Sequence, residues 1–110
     1  MSEVSIPCID VHELKSKKED NPALCLIDVR EQEEWDQMRI PGATHIPKDQ
    51  VAERIKEVTD NKNQPIYLHC RSGVRSLYAA HTLLTIGYTD VYSVNGGIQE
   101  WAMFGYEVIE

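Results

Sequence analysis

Short, nearly continuous apolar runs alternate along the chain with longer polar stretches in which apolar residues return every three or four positions. The runs predict strands covered on both faces, and the stretches between them predict amphipathic helices. Val4 to Ile9 opens the series, and Pro7, which cannot donate to a ladder, suits an edge strand. Asp10 reads as an N-cap with Glu13 completing the pattern of a capping box, for a helix running through Leu14 toward Lys17 and Lys18. Asn21 and Pro22 break the chain before Ala23 to Val29, an apolar run that predicts a central strand.

The cycle then repeats. Glu31 to Trp35 has an acidic first turn suited to a helix N-terminus, with Trp35 as an aromatic core anchor. Ile40 to Pro47 reads as a turn, a strand of about four residues and a proline stop. Lys48 to Thr59 carries Val51, Ile55 and Val58 at helical spacing, ahead of a polar loop from Asp60 to Gln64. Ile66, Tyr67 and Leu68 predict a short buried strand, and Leu77, Ala80 and Leu84 mark the inner face of a helix closed by Gly87. Val91 to Val94 is the last strand, and Asn95-Gly96-Gly97 connects it to a helix over Ile98 to Phe104 that carries Trp101, a second core anchor.

Strands and helices alternating through short links predict an α/β fold of three layers, α/β/α, around a mostly parallel sheet. Ligands of such sheets bind outside the carboxyl ends of the strands. Asp28, Cys70 and the Asn95-Gly96-Gly97 turn all fall at such ends.

A length of 110 residues suits a single domain over 1–110, with enough chain for a core that needs no disulfides. The net charge of −7 argues against nucleic acid or an anionic membrane surface as partner, and no tract is long enough to span a bilayer. Cys8, Cys25 and Cys70 are odd in number and widely spaced, so neither a disulfide framework nor a zinc cage is expected. No basic segment followed by an apolar one opens the chain, and reduced thiols then imply a cytoplasmic protein.

The chemistry concentrates at Cys70, on the turn between the Ile66 strand and the following helix. Such a turn aims several backbone N–H groups and the positive end of a helix at whatever lies in its bowl. Those donors, with Arg71 and Arg75, favour a thiolate and so a nucleophile at neutral pH.

Three blocks carry a resemblance across almost the whole chain. They are Leu26-Ile27-Asp28-Val29-Arg30 with Glu34-Trp35 and Ile40-Pro41-Gly42-Ala43-Thr44-His45-Ile46-Pro47, then Cys70-Arg71-Ser72-Gly73-Val74-Arg75-Ser76, then Asn95-Gly96-Gly97-Ile98 with Trp101. In this order they resemble the single-domain rhodaneses, which are thiosulfate sulfurtransferases. One departure is Met38-Arg39, where the family usually has Gly-His.

The resemblance implies a five-stranded parallel sheet with helices on both faces, and a Cys70 that carries sulfur as a persulfide. It implies a small-molecule sulfur donor, thiosulfate or a persulfide, and a thiol, cyanide or protein-thiol acceptor, with no cofactor and no metal. Arg71, Ser72, Gly73, Val74, Arg75 and Ser76 would bind the substrate, the two arginines holding sulfonate oxygens. Asp28 and Arg30 would support the site, Asp28 by orienting the loop.

Two other readings compete. A cysteine phosphatase or arsenate reductase also sets a thiolate in an arginine-closed loop, but with Cys-x5-Arg, whereas Cys70 to Arg75 is Cys-x4-Arg. A binding module without catalysis would be expected to have lost the cysteine. Elsewhere, Cys8 and Cys25 read as small buried hydrophobes, with Cys8 able to resolve a persulfide if it lies near the bowl. His69 points away from Cys70 by strand alternation. His12, His45 and His81 lack metal-ligand spacing, and Arg30 with Glu34 reads as a structural ion pair.

Overall fold

The computed structural model describes residues 5–110, so the start of the expected first strand at Val4 lies outside the described residues. Five strands, β1 (Cys8–Ile9), β2 (Leu26–Asp28), β3 (Thr44–His45), β4 (Ile66–His69) and β5 (Val91–Val94), form one sheet in the order β1-β5-β4-β2-β3. Every neighbouring pair is parallel. The Pro7 segment does lie at an edge, and the carbonyl of Pro7 accepts the Ser93 N–H without needing a donor from proline. The Ala23 run supplies β2, an interior strand, while the middle of the sheet is β4, the strand that leads to Cys70.

Alternation along the interior strands divides the core in two. Ile66, Leu68 and Cys70 join Ile27, Val29 and Val91 under α4 (Val74–Thr85) and α3 (Val51–Arg54). Tyr67 joins Leu26, Val94, Ile98 and Trp101 under α1 (Val11–Asp20) and α5 (Gly97–Met103). The Asp10 cap forms, its Oδ1 accepting the Glu13 N–H at 2.8 Å. The remaining helix, α2 (Gln32–Gln37), follows β2 at the carboxyl end of the sheet.

Four expectations about packing are corrected. Lys48 to Thr59 is not one helix but a 3₁₀ turn over Lys48–Gln50, α3, and a second 3₁₀ turn over Ile55–Glu57. Its apolar residues are β-branched, which weakens a helix, and a single turn suffices to bury Val51 and Ile55. The buried face of α4 is Ser76, Ala79, Ala80 and Leu83, and Leu77 stands 37% exposed. A serine takes the position that periodicity assigned to an apolar residue, because its hydroxyl has partners beneath the helix. Trp35 is half-buried outside both cores, stacked on the His45 ring at 5.0 Å with the Arg39 guanidinium also over its ring at 5.1 Å, whereas Trp101 is buried as expected. Cys8 is exposed rather than a buried hydrophobe, while Cys25 packs partly against the α4-side core.

Gly97 is the tightest backbone approach between elements. With φ at +52°, its α-carbon sits where an added Cβ would collide with the carbonyls of Cys70 and Arg71. Gly97→Ala is therefore expected to destabilise the protein by about 2–3 kcal/mol. A thermal melt checks this, with a fall in Tm of roughly 8 °C or more for a chain of this size.

Candidate active site

The Cys70 loop leaves β4 at His69 and enters α4 at Val74. Its carbonyls are tied down from behind. The N–H groups of Gly96, Ile98 and Gln99, around the start of α5, donate to the carbonyls of Ser72, Cys70 and Arg71 at 3.1, 3.0 and 3.0 Å. A trans peptide is planar, so a carbonyl turned toward α5 turns the next residue's N–H the opposite way. The Ser72 and Gly73 amides are thereby left free for the sulfur, and both bond it.

Gly73, at φ +122°, donates its N–H to the Cys70 Sγ at 3.1 Å. The Ser76 Oγ lies 3.6 Å from the same sulfur. Cys70 is only 1% exposed, and burial pushes its thiol pKa up. The Ser76 hydroxyl and the N–H groups of Ser76, Gly73 and Ser72 more than offset this, so the net shift is downward. Cys25 has no such donors, and burial raises its thiol pKa.

The two arginines differ. Arg75 reaches back across the site to Glu34 of α2 in a bidentate pair, with Nη1 to Oε1 at 2.6 Å and Nη2 to Oε2 at 2.9 Å. Its donors on that side are therefore engaged, in contrast to the expectation of a guanidinium holding sulfonate oxygens. The hydrogen bond from Arg75 chiefly holds the Glu34 carboxyl at a pKa of about 2, against the penalty of burial and with help from the Glu31 N–H. Arg71 is exposed and its guanidinium makes no hydrogen bond or ion pair among the described residues. It stands on the wall of a groove of about 500 Å³ between α2 and α5, with Gln37, Met38, Ile98, Gln99 and Ala102.

The expected Arg30–Glu34 ion pair is also corrected. Arg30 binds Asp28, with Nη2 to Oδ2 at 2.8 Å and Nε to Oδ1 at 3.0 Å, and Asp28 is wholly buried. The same guanidinium donates to the backbone carbonyls of Glu34 and Met38, the carbonyl end of α2. Asp28 pairs with His69 in the sheet register, so it occupies the face opposite Cys70 and supports α2 rather than lining the bowl. His69 is fully buried on that face, its Nδ1 lying 3.2 Å from the Cys70 carbonyl oxygen. Burial lowers its pKa, with Asp28 opposing, and leaves the ring neutral near pH 7.

Of the loop residues, Ser72 and Val74 are exposed, whereas Gly73 and Ser76 are buried. Cys8 is in register with Ser93, which pairs with Leu68, so it lies two ladder spacings, about 10 Å, from β4. A disulfide requires α-carbons within about 7 Å, which removes Cys8 as a resolving partner in this arrangement. Three contributors escaped the sequence reading: Glu34 as the partner of Arg75, Gly97 as the close contact behind the loop, and Ser93, whose hydroxyl meets Ser76 at 2.7 Å. Ser93 had a local signal, a small polar residue inside an apolar strand, and Gly97 was placed in the turn at a strand end without its contact with the loop, whereas nothing local pairs Glu34 with Arg75.

A cysteine on an amide-lined loop at the carboxyl edge of a parallel α/β sheet defines a class of thiolate-loop domains. The family model described as Rhodanese-like domain matches residues 10–104, and the chain belongs to that family. It is 33% identical over 101 residues to a protein named sulfurtransferase from Allochromatium vinosum, covering 92% of each chain. It is 40% identical over 97 residues to the putative sulfur carrier protein YrkF of Bacillus subtilis, covering 88% of this chain but only 51%, about half, of that longer protein. Among solved structures, a rhodanese-like domain protein from Staphylococcus aureus superposes with a TM-score of 0.81 at 32% identity, over 96% of this chain and 100% of the other.

The depressed Glu34 pKa carries a stability term with a defined sign. A carboxyl lowered on folding from 4.5 to about 2 contributes stability above pH 4.5 that is lost as pH falls toward 2. Thermal melts from pH 6 to pH 2 are therefore expected to fall more steeply for the wild type than for Glu34→Gln, with the difference confined to that window.

Proposed function

We propose that the protein is a sulfurtransferase in which Cys70 accepts a sulfane sulfur and passes it to a second nucleophile. The observation that carries this reading is the buried Cys70 sulfur held by the Gly73 amide and set beside the Ser76 hydroxyl, in a loop whose carbonyls of Cys70, Arg71 and Ser72 are turned away to α5. Donors converging on one atom stabilise an anionic sulfur without needing a metal or an acid.

With thiosulfate, the Cys70 thiolate attacks the terminal sulfur. A new S–S bond forms at Cys70, the bond to the sulfonate sulfur breaks, and sulfite departs with the electron pair. Cys70 is left as a persulfide anion whose outer sulfur shares the amide bowl. An incoming thiolate or cyanide then attacks the outer sulfur, taking it as a persulfide or as thiocyanate and returning the Cys70 thiolate. The two halves give ping-pong kinetics.

Arg71 is the guanidinium available for the anionic end of the donor. Arg75, fixed by Glu34, acts as a stationary positive wall whose charge is coupled to the Cys70 sulfur. The Cys-x4-Arg spacing supports a sulfur atom over a tetrahedral phosphate as occupant. The A. vinosum relative named sulfurtransferase supports the same reaction class.

Intact-mass measurement after incubation with thiosulfate is expected to show one added sulfur on the wild type and none on Cys70→Ser. Cyanide is then expected to release thiocyanate and restore the starting mass. Turnover of an aryl phosphate without sulfur loading overturns the proposal. Arg71→Gln is expected to weaken kcat/KM for thiosulfate roughly tenfold or more, the worth of one charge-assisted contact, with Cys70 still alkylated at neutral pH.

A further inference from the structure

Ser93 is the one polar side chain on the inner face of β5, wholly buried beneath α4 in an otherwise apolar layer. Its Oγ lies 2.7 Å from the Ser76 Oγ, its only side-chain hydrogen bond among the described residues. The direction of that bond follows from proton accounting. Were Ser76 the donor, the Ser93 hydroxyl proton would be buried without an acceptor, an arrangement that folded proteins avoid. Ser93 therefore donates, and the Ser76 proton is left for its two other neighbours, the Gly73 carbonyl at 3.1 Å and the Cys70 sulfur at 3.6 Å.

We propose that Ser93 is a positioning residue for Cys70, acting through Ser76 to hold that hydroxyl as a donor to the anionic sulfur. The inference rests on the reading of Cys70 as the sulfur-carrying nucleophile and extends it to a residue that never touches substrate.

The two protonation states can be written out. In the thiol form the Cys70 S–H donates to the Ser76 oxygen, and Ser76 donates to the Gly73 carbonyl. When the thiol proton leaves to solvent, the Ser76 O–H turns to the sulfur. The Gly73 carbonyl still accepts from the Leu77 N–H at 3.4 Å, so no buried acceptor is orphaned. Throughout, the Ser93 donation fixes the Ser76 oxygen and polarises its O–H, strengthening it as a donor in a poorly solvated site.

The sulfur also has the Gly73 N–H at 3.1 Å, a backbone donor that the Ser93 change leaves in place. Of the side chains around it, Ser76 and the paired Arg75 come from α4, Ser93 of β5 lies behind Ser76, and His69 points to the opposite face of β4 as a neutral ring. Removing the Ser93 hydroxyl changes no charge.

The test is the pH profile of Cys70 alkylation by iodoacetamide, read by mass, in the wild type, Ser93→Ala, Ser93→Thr, Ser76→Ala and the Ser76/Ser93 double alanine variant. Below the thiol pKa, Ser93→Ala is expected to react roughly threefold more slowly, with the same plateau at alkaline pH, because its midpoint moves up. Ser93→Thr, which keeps the hydroxyl, is expected to retain the wild-type midpoint. In the Ser76→Ala background the Ser93 change is expected to add nothing, since its effect passes through Ser76. A wild-type profile in Ser93→Ala, a shifted one in Ser93→Thr, or an equal slowing in the Ser76→Ala background overturns the proposal. A wild-type Cys70 no more reactive than free cysteine instead overturns the underlying reading of the nucleophile.

Discussion

The interaction on which the site depends lies behind the loop. Three N–H groups around the start of α5 take the carbonyls of Cys70, Arg71 and Ser72. Peptide planarity does the rest, because the captured Arg71 and Ser72 carbonyls turn the following amides, Ser72 and Gly73, the other way, where both bond the sulfur. A side chain at position 97 would stand between these partners, so glycine is the residue that lets two backbones meet. The Gly96-Gly97 turn thereby acts on a cysteine 27 residues earlier in the chain without touching its sulfur. Replacing the loop amides with side-chain donors would cost rotamer entropy at each one, which the fixed backbone avoids.

Charge around the thiol is arranged in two separate pairs on opposite faces of the sheet. On the Cys70 side Arg75 is balanced by Glu34, and on the far side Arg30 is balanced by Asp28. Both pairs lead to α2, since Glu34 belongs to that helix and Arg30 holds its last carbonyls. A short six-residue helix, too short to be stable alone, is thus held by charged partners at both ends. The outcome is that Arg71 is the guanidinium at the loop with no partner among the described residues, and a chain of net charge −7 still offers a cation beside its thiol.

The fold was legible from periodicity. The five strand segments, a mostly parallel sheet and the placement of Asp28, Cys70 and Asn95 at strand ends follow from apolar runs and short links, while the single five-stranded parallel sheet was what the family resemblance implied. What periodicity could not convey were the places where a polar requirement overrides it. Ser76 faces inward where a leucine was expected because it has Ser93 and the sulfur below it. Glu34 takes Arg75, 41 residues away, in preference to Arg30, four residues away, since Arg30 is drawn to the buried carboxylate of Asp28. Trp35 was read as core because it is aromatic, yet contacts with the His45 ring and the Arg39 guanidinium satisfy it at the surface.

The lengths of the outer strands bear on how these molecules behave when crowded together. β1 and β3, the two rims of the sheet, are two residues each. An open rim of unsatisfied N–H and C=O groups is where sheets from separate molecules fuse, and fusion needs several successive bonds to take hold. With so little ladder on either border, intermolecular zippering has almost nothing to grip, and the longer strands that could nucleate a fibril stay shut in the interior.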